Sequence, residues 1–359
     1  MNIGINAVAA FKEPRTGVEE YVYQLIKHLT MLKDSDKHHF ILYSQNNNNF
    51  NFKLPNNFEI NKLRWSLPMW TQIRLTAEIL KNKPDILFIP VHVLPFIHPE
   101  NSVTTIHGLE YEYYPEMYPA NHLRYLRWST KYALKNTKKI ITVSQNTKND
   151  LIKLYNADPD KIKVIYHGFN DRIRLNKLKP KKDYPYILFL GRLETKKNVQ
   201  GLIKAFNSLK KKYQVPHKLI LAGSNGFGHK DIRSQISKIK FKDDIIDKGY
   251  VSEKDKMVLL RNAEMFVLPS FYEGFGMPIL EAQAAKCPVI TSNVSSMPEV
   301  AGEGAILIDP ENIEQISNMM YKIIDDNDFR KRLIKEGSSN LERFSWQECA
   351  QETLKFLLE

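Results

Sequence analysis

Apolar residues along this chain fall in short runs, and between the runs they recur at helical spacing. IGINAV, HFILYS, DILFIP, VTTIHG, KIITVS and KVIYHG mark the first half; YILFLG, KLILAG, DIIDKGYV, MFVLPS, PVITSN and AILIDP repeat the rhythm in the second. Runs without strict alternation suit strands covered on both faces, and helical stretches between them make strand–helix–strand units. Each half therefore predicts a parallel α/β sheet wound with helices, a Rossmann-like domain. Between the halves lies DRIRLNKLKPKKDYP, residues 171–185, basic and poor in large apolar side chains, which reads as a linker. The pattern sets an N-terminal domain at residues 1–172 and a C-terminal domain at 173–344. The last segment, SWQECAQETLKFLLE, residues 345–359, carries apolar residues at Trp346, Ala350, Leu354 and Phe356 to Leu358 and predicts a terminal helix. QNNNNFNF, residues 45–52, is an asparagine-rich tract that favours turns over packing.

Composition narrows the class. At 359 residues and 43% hydrophobic, the chain has the material for two packed cores. Cys287 and Cys349 are its only cysteines, which leaves no disulfide framework and no metal-ligand spacing. No window approaches the roughly 18 uninterrupted apolar residues of a membrane span, and MNIGINAVAAF lacks the flanks of a signal peptide, so a cytoplasmic location is expected. The net charge of +12 draws the protein toward anions: nucleic acid, phosphorylated substrate or acidic lipid. Zinc-finger spacing, an aromatic RNP-like strand and long blocks of like charge are all missing, which speaks against nucleic acid.

The candidate chemistry begins at FYEGFGMPILEAQAAK, after the run MFVLPS. Pro278 suits the start of a helix because its missing N–H would be unpaired there. A strand, a glycine turn and a helix start thus follow in order, and such a start seats an anion such as phosphate. Gly274 and Gly276 let a ligand approach the backbone. With Pro278 opening the helix, Glu281 is expected in its first turn, where its oxygens accept hydrogen bonds from a vicinal diol such as ribose. Glu273 stands before the turn, within reach of a sugar hydroxyl. The plainer reading stays open: Glu281 complements the helix end and Glu273 is a solvated loop residue. A second signal, GRLETKKN at residues 191–198, follows the run YILFLG and places Arg192 and Lys197 at a strand's carboxyl end, the edge where open α/β sheets bind ligands. Two cations there could neutralise a leaving diphosphate without a metal, or form only a solvated basic turn.

With EGFGMPILE, GRLETKKN, TIHG from Thr105, VSQNTKNDL from Val143 and FSWQECA from Phe344, the sequence resembles, over nearly its whole length, the retaining nucleotide-sugar glycosyltransferases of family four. The resemblance implies the GT-B fold: two Rossmann-like domains facing across a cleft, an N-terminal one for the acceptor and a C-terminal one for the donor, with the terminal helix crossing back to the first. It implies that Arg192 and Lys197 bind the diphosphate, Glu281 the ribose hydroxyls and Glu273 the transferred sugar, assisted by backbone N–H groups around Phe275, Gly276 and Met277. His107 would face the reacting sugar and complete a catalytic set with Glu273, Arg192 and Lys197. Gly17 would let the first loop approach the phosphates, and Tyr250 and Val251 would line the base pocket. Two departures stand out: Thr16-Gly17 replaces the paired glycines of many members, and Gly108 replaces an aspartate after the histidine. On its own, His107 also reads as a satisfied interior histidine at a strand end.

The resemblance implies transfer of a hexose with retention of configuration, with no metal and no cofactor beyond the nucleotide-sugar donor. LAGSNGFGHKDI and WTQIRL are similar to stretches of bacterial mannosyltransferases, which points to GDP-mannose, with UDP-sugars as the alternative donors. The acceptor would be a growing or lipid-linked glycan. HLRYLRWSTKYALK sets Arg124, Arg127, Lys131 and Lys135 along one helical side, suited to an anionic membrane surface or simply to water. Three rivals differ in outcome: a nucleotide-sugar epimerase converts donor alone, a silent binder transfers nothing, and a nucleic-acid protein shows steep salt-dependent binding.

Overall fold

The computed structural model describes residues 1–45, 50–169 and 184–359. The linker expected at 171–185, the proposed boundary at 172–173 and the centre of the asparagine tract lie outside the described residues, save for Tyr184 and Pro185. The chain divides into two compact units, Met1–Gly168 with Phe344–Glu359, and Phe169–Arg343.

The first unit is built on β1 (Asn2–Asn6), β2 (His39–Ser44), β3 (Phe58–Lys62), β4 (Ile86–Ile89), β5 (Ser102–Ile106), β6 (Lys139–Thr142) and β7 (Ile162–Val164). They form one parallel sheet in the order β3-β2-β1-β4-β5-β6-β7. Every residue of β4 and β5 is buried, as strands covered on both faces should be. The strand β3 was not anticipated: FEINK holds no apolar run because it lies at the sheet's edge, and of its residues only Phe58 is fully buried. The terminal helix Trp346–Leu358 belongs to this unit and packs on helix Gly17–Leu29. Ser345 caps it, its hydroxyl oxygen accepting from the N–H groups of Gln347 and Glu348 at 3.2 and 3.3 Å. Trp346, Ala350, Leu354 and Leu357 make its buried face.

The second unit carries β8 (Tyr186–Leu190), β9 (Lys218–Ala222), β10 (Ile245–Gly249), β11 (Met265–Leu268), β12 (Val289–Ser292) and β13 (Ala305–Ile308). The order is β10-β9-β8-β11-β12-β13, again all parallel. Sequence order therefore reverses between β8 and β11, which are neighbours although the intervening chain carries β9 and β10. At such a switch point the loops leaving the carboxyl ends diverge and open a crevice.

Candidate functional site

The two motifs singled out in the second half leave these two strands. GRLETKK follows β8 and FYEGFG follows β11, and the Phe271 N–H donates to the Lys196 carbonyl at 2.8 Å, joining the loops directly. Gly191 has φ of +148°, and the stem of Lys197 lies over it: a β-carbon there would come within 3.1 Å of Lys197 Cδ. The loop after β9 crosses closer still. A β-carbon on Gly223 would stand 1.8 Å from the Gly191 carbonyl oxygen, so only glycine admits that approach.

Glu273 and Lys197, 76 residues apart in sequence, form an ion pair at 2.6 Å, each with most of its side chain covered. The Ser270 hydroxyl donates to the same carboxylate oxygen at 2.7 Å. Burial by itself would raise the Glu273 pKa, but the charges of Lys197 and Lys196 and these two hydrogen bonds outweigh it and hold the carboxyl below its ordinary value. The turn is fixed from behind by the loop after β12. The Ser295 hydroxyl donates to the Glu273 carbonyl at 2.6 Å, and the Ser296 hydroxyl lies 2.8 Å from the carbonyl oxygens of both Glu273 and Phe275. Arg192 is half exposed and reaches Glu194 at 3.2 Å, with Lys196 3.8 Å from the same buried carboxylate. One carboxylate thus steadies two cations at the mouth of the loop.

The helix after the turn spans Met277–Ala284, with Gly276 at its cap in the left-handed region, φ +103°. That conformation turns the chain into the helix one residue earlier than Pro278, which corrects the expectation for Glu281. The first turn, residues 277–280, holds no acidic residue, and Glu281 opens the second. The dipole acts chiefly within the first turn, so it is not what holds this carboxylate. Lys256 does, at 2.6 Å, from helix Glu253–Asn262. Gly276 has no side chain to cap the helix start, unlike Ser252, Asn198 or Ser345 elsewhere. Phe275 is buried and Met277 half-buried beside it. Tyr250 is 61% exposed and Val251 half-buried, in the turn between Gly249 at the end of β10 and Ser252, the cap of the Lys256 helix.

In the first unit, Gly17 opens helix Gly17–Leu29 just after the loop leaving β1. The carboxylate of Glu19 reaches back to accept from the Thr16 N–H at 3.1 Å. His107 follows β5. Its Nε2 lies 2.8 Å from the Pro90 carbonyl, to which it donates, and its ring meets Tyr21 edge-on at 4.9 Å. Burial pushes its pKa down to about 4, so the ring is neutral at pH 7. Tyr21 stacks in turn on His167, and His167 on Trp346 at 5.5 Å, so the terminal helix supports the layer behind His107. Gly108 is buried beside it. Arg127, expected on an open basic face, is tied to Glu112 at 2.8 Å.

Several residues in this arrangement were not read from the sequence. Ser270, Ser295 and Ser296 sit just beyond strands β11 and β12, where a polar cluster on the ligand edge was the available signal. Lys256 gave none, being one of 52 Lys and Arg residues.

Residues 15–172 match the family model of Glycosyltransferase Family 4, and residues 170–340 that of Glycosyl transferases group 1. The chain belongs to the family-four, group 1 glycosyltransferases. This glycosyltransferase is 29% identical to O-antigen chain mannosyltransferase B of Escherichia coli over 98% of both chains. It is also 29% identical to O-antigen chain mannosyltransferase RfbU of Salmonella typhimurium, over 64% of this chain and 65% of that one. Among solved structures it resembles WaaG, a glycosyltransferase involved in lipopolysaccharide biosynthesis, with a TM-score of 0.78 at 14% identity, covering 99% of each chain. Anabaena HepE, solved with UDP and glucose, superposes with a TM-score of 0.75 at 17% identity over 100% of this chain and 99% of that one. These likenesses show the fold: the glycosyltransferase is a GT-B protein with two Rossmann-like domains. Among the described residues, no helix is long and apolar enough to cross a membrane.

Proposed function

We propose that this glycosyltransferase moves mannose from a nucleoside-diphosphate sugar, GDP-mannose first among candidates, to a growing or lipid-linked glycan, with retention of anomeric configuration and without a metal. The observation that carries the reading is the joining of Lys197, Glu273 and Ser270 to an uncapped helix start, beside the half-exposed Arg192, at the switch point of one sheet. Lys197 spends one N–H on Glu273 and keeps donors for an anion. With Arg192 and the first amides of helix Met277–Ala284, it supplies positive charge where a departing diphosphate gains negative charge. The bond from the anomeric carbon to the diphosphate oxygen breaks, the acceptor hydroxyl oxygen bonds to that carbon, and the hydroxyl proton leaves with the diphosphate.

Glu273 is held by Lys197 and Ser270, and Glu281 by Lys256, which disfavours either as a covalent nucleophile. The mannosyltransferase relatives favour mannose, while the HepE complexes keep UDP-sugars as the second donor class. The test is a thermal-shift panel of nucleotide sugars in the presence of EDTA, repeated with Arg192→Ala and Glu281→Ala. One donor is expected to raise the melting temperature of the wild type, and both variants to lose most of that shift. Unchanged shifts in the variants, or a glutamyl-sugar adduct trapped by mass spectrometry, would overturn the reading.

A surface of the first unit supports a lipid setting for the acceptor. Leu67, Met69, Ile73, Phe96, Tyr125 and Trp128 are exposed, and ring contacts of 5.8 Å link Trp128 to both Phe96 and Tyr125. The Gln72 amide donates to the Leu94 carbonyl at 2.9 Å, which ties the Leu67–Ile73 stretch to the segment that carries Phe96. The three segments involved, residues 62–75, 91–98 and 120–136, contain Lys62, Arg64, Arg74, Arg124, Arg127, Lys131 and Lys135 and no Asp or Glu. Of these cations, Arg74 and Arg127 are paired with Glu78 and Glu112. Exposed aromatics beside cations favour an anionic lipid surface, where a lipid-linked acceptor would be presented.

A further inference from the structure

Lys256 enters the reading above only as a partner of Glu281, yet it is among the most enclosed cations described in the second unit, with 18% of its side chain exposed. It occupies the inward face of helix Glu253–Asn262, one turn before Leu259 and Leu260, which are both buried. At that spacing a third apolar residue would complete the face. A lysine there must be dehydrated and its long chain ordered, and a buried ion pair is seldom more stabilising than a hydrophobic residue of similar size. Packing therefore does not account for it. Its ammonium lies 2.6 Å from Glu281 Oε1 and 2.9 Å from Glu253 Oε2. Burial would lower its pKa, and the two carboxylates more than reverse that, so it stays charged. Glu253 is largely exposed, whereas Glu281 is nearly as covered as the lysine, so the Glu281 contact is the one shielded from water. The helix also begins at Ser252, directly after Tyr250 and Val251, so one rigid element connects the segment beside β10 to the carboxylate beside β11.

We infer that Lys256 is a positioning residue of the donor site, fixing through one oxygen the orientation in which Glu281 meets the ribose diol of the nucleotide. The inference rests on the reading of Glu281 as the ribose acceptor. Loss of this anchor loosens the carboxylate, which then meets two adjacent hydroxyls in the right plane for less of the time. A buried carboxylate without its cation also holds a proton more readily, and a protonated carboxyl accepts more weakly and turns one oxygen into a donor. Lys256 thus acts through Glu281, and its effect should fall on discrimination between ribose and deoxyribose rather than on transfer itself.

The experiment titrates the full chain with GDP and with UDP, each beside its 2′-deoxy analogue, by calorimetry, for the wild type, Lys256→Met, Lys256→Gln, Lys256→Arg and Glu281→Ala. The wild type is expected to bind one ribonucleotide at least tenfold more tightly than its deoxy partner. Lys256→Met should weaken that ribonucleotide about tenfold and leave the deoxy analogue nearly unmoved, so that the ratio falls to within about twofold. Lys256→Arg should keep most of the ratio, and the Lys256→Met effect should appear in the donor KM with kcat at saturation little changed. Should Lys256→Met fail to fold, Lys256→Gln, which keeps a hydrogen-bond donor without the charge, gives the same comparison. A Lys256 variant that keeps the wild-type ratio, or weakens both nucleotides equally, overturns the inference and leaves the lysine a packing residue. A wild-type ratio near one, or one that survives Glu281→Ala, overturns instead the reading of Glu281 on which the inference stands.

Discussion

Glu273 is a carboxylate whose neighbours make its charge more stable than burial alone would allow. Its folded pKa lies below the ordinary value of 4.5, so its pairing with Lys197 contributes fully at neutral pH. That contribution is lost only as pH falls below 4.5 and through the depressed folded value. The same sign applies to catalysis if the ionised form is the working one. The acid limb of kcat is expected below pH 4.5, and a limb centred well above that value in a pH–rate profile would show that some other group titrates. Glu273→Gln keeps the shape and removes the charge, leaving Lys197 without its anion. Transfer is expected to drop by about a hundredfold or more at saturating donor, with donor affinity changed far less. Steady-state kinetics that show a loss confined to KM would reassign Glu273 to ground-state binding. Which residues carry charge at this site was legible from GRLETKKN and EGFGMPILE. Which charge faces which was not, because 76 residues separate Lys197 from Glu273 and no local pattern records their meeting.

At the scale of elements, the terminal helix shows how little sequence separation constrains packing. Its apolar face was visible in the spacing of Trp346, Ala350 and Leu354, and the structure adds Ser345 as its cap. The spacing does not say where it docks; the family resemblance implied the first domain, and the helix does belong to that unit. Gly168 approaches so closely that a β-carbon there would lie 2.1 Å from the Trp346 nitrogen and 2.6 Å from its ring. Gly168→Ala must therefore move backbone rather than a flexible side-chain end, and is expected to destabilise by about 1–3 kcal/mol. Ser345→Ala, which removes only the cap, should cost about 1 kcal/mol. Urea melts of the two variants would check the order, and an alanine at 168 as stable as wild type would mean that Trp346 is not held where it stands. The edge strand β3 was missed for a related reason. A strand at the rim of a sheet buries little of itself, so FEINK lacks the apolar run that announced its neighbours. Glu281 was placed one turn too early because a left-handed glycine, not the proline, sets where the helix begins.

For the whole molecule, the +12 net charge becomes informative once its placement is seen. On segment 120–136 of the first unit Arg124, Lys131 and Lys135 stand among the exposed Tyr125 and Trp128, and each Lys or Arg near an anionic surface contributes about 1 kcal/mol. The chain is expected to sediment with vesicles containing phosphatidylglycerol and to remain in solution with pure phosphatidylcholine. Trp128→Ala with Lys131→Ala should weaken sedimentation several-fold while leaving donor-induced thermal shifts intact. Equal sedimentation of variant and wild type would remove this patch as the contact. The sequence alone determined the two parallel sheets, the glycine turn, the family and the charged residues Arg192, Lys197, Glu273 and Glu281, because hydrophobic period and turn chemistry act over a few residues at a time. Tertiary structure decided that β8 and β11 stand side by side, and so which loops share an edge. It also decided that Lys197 meets Glu273 and Lys256 meets Glu281. Those pairings depend on strand order, a property of how distant segments exclude water together, and no stretch of chain carries that order within itself.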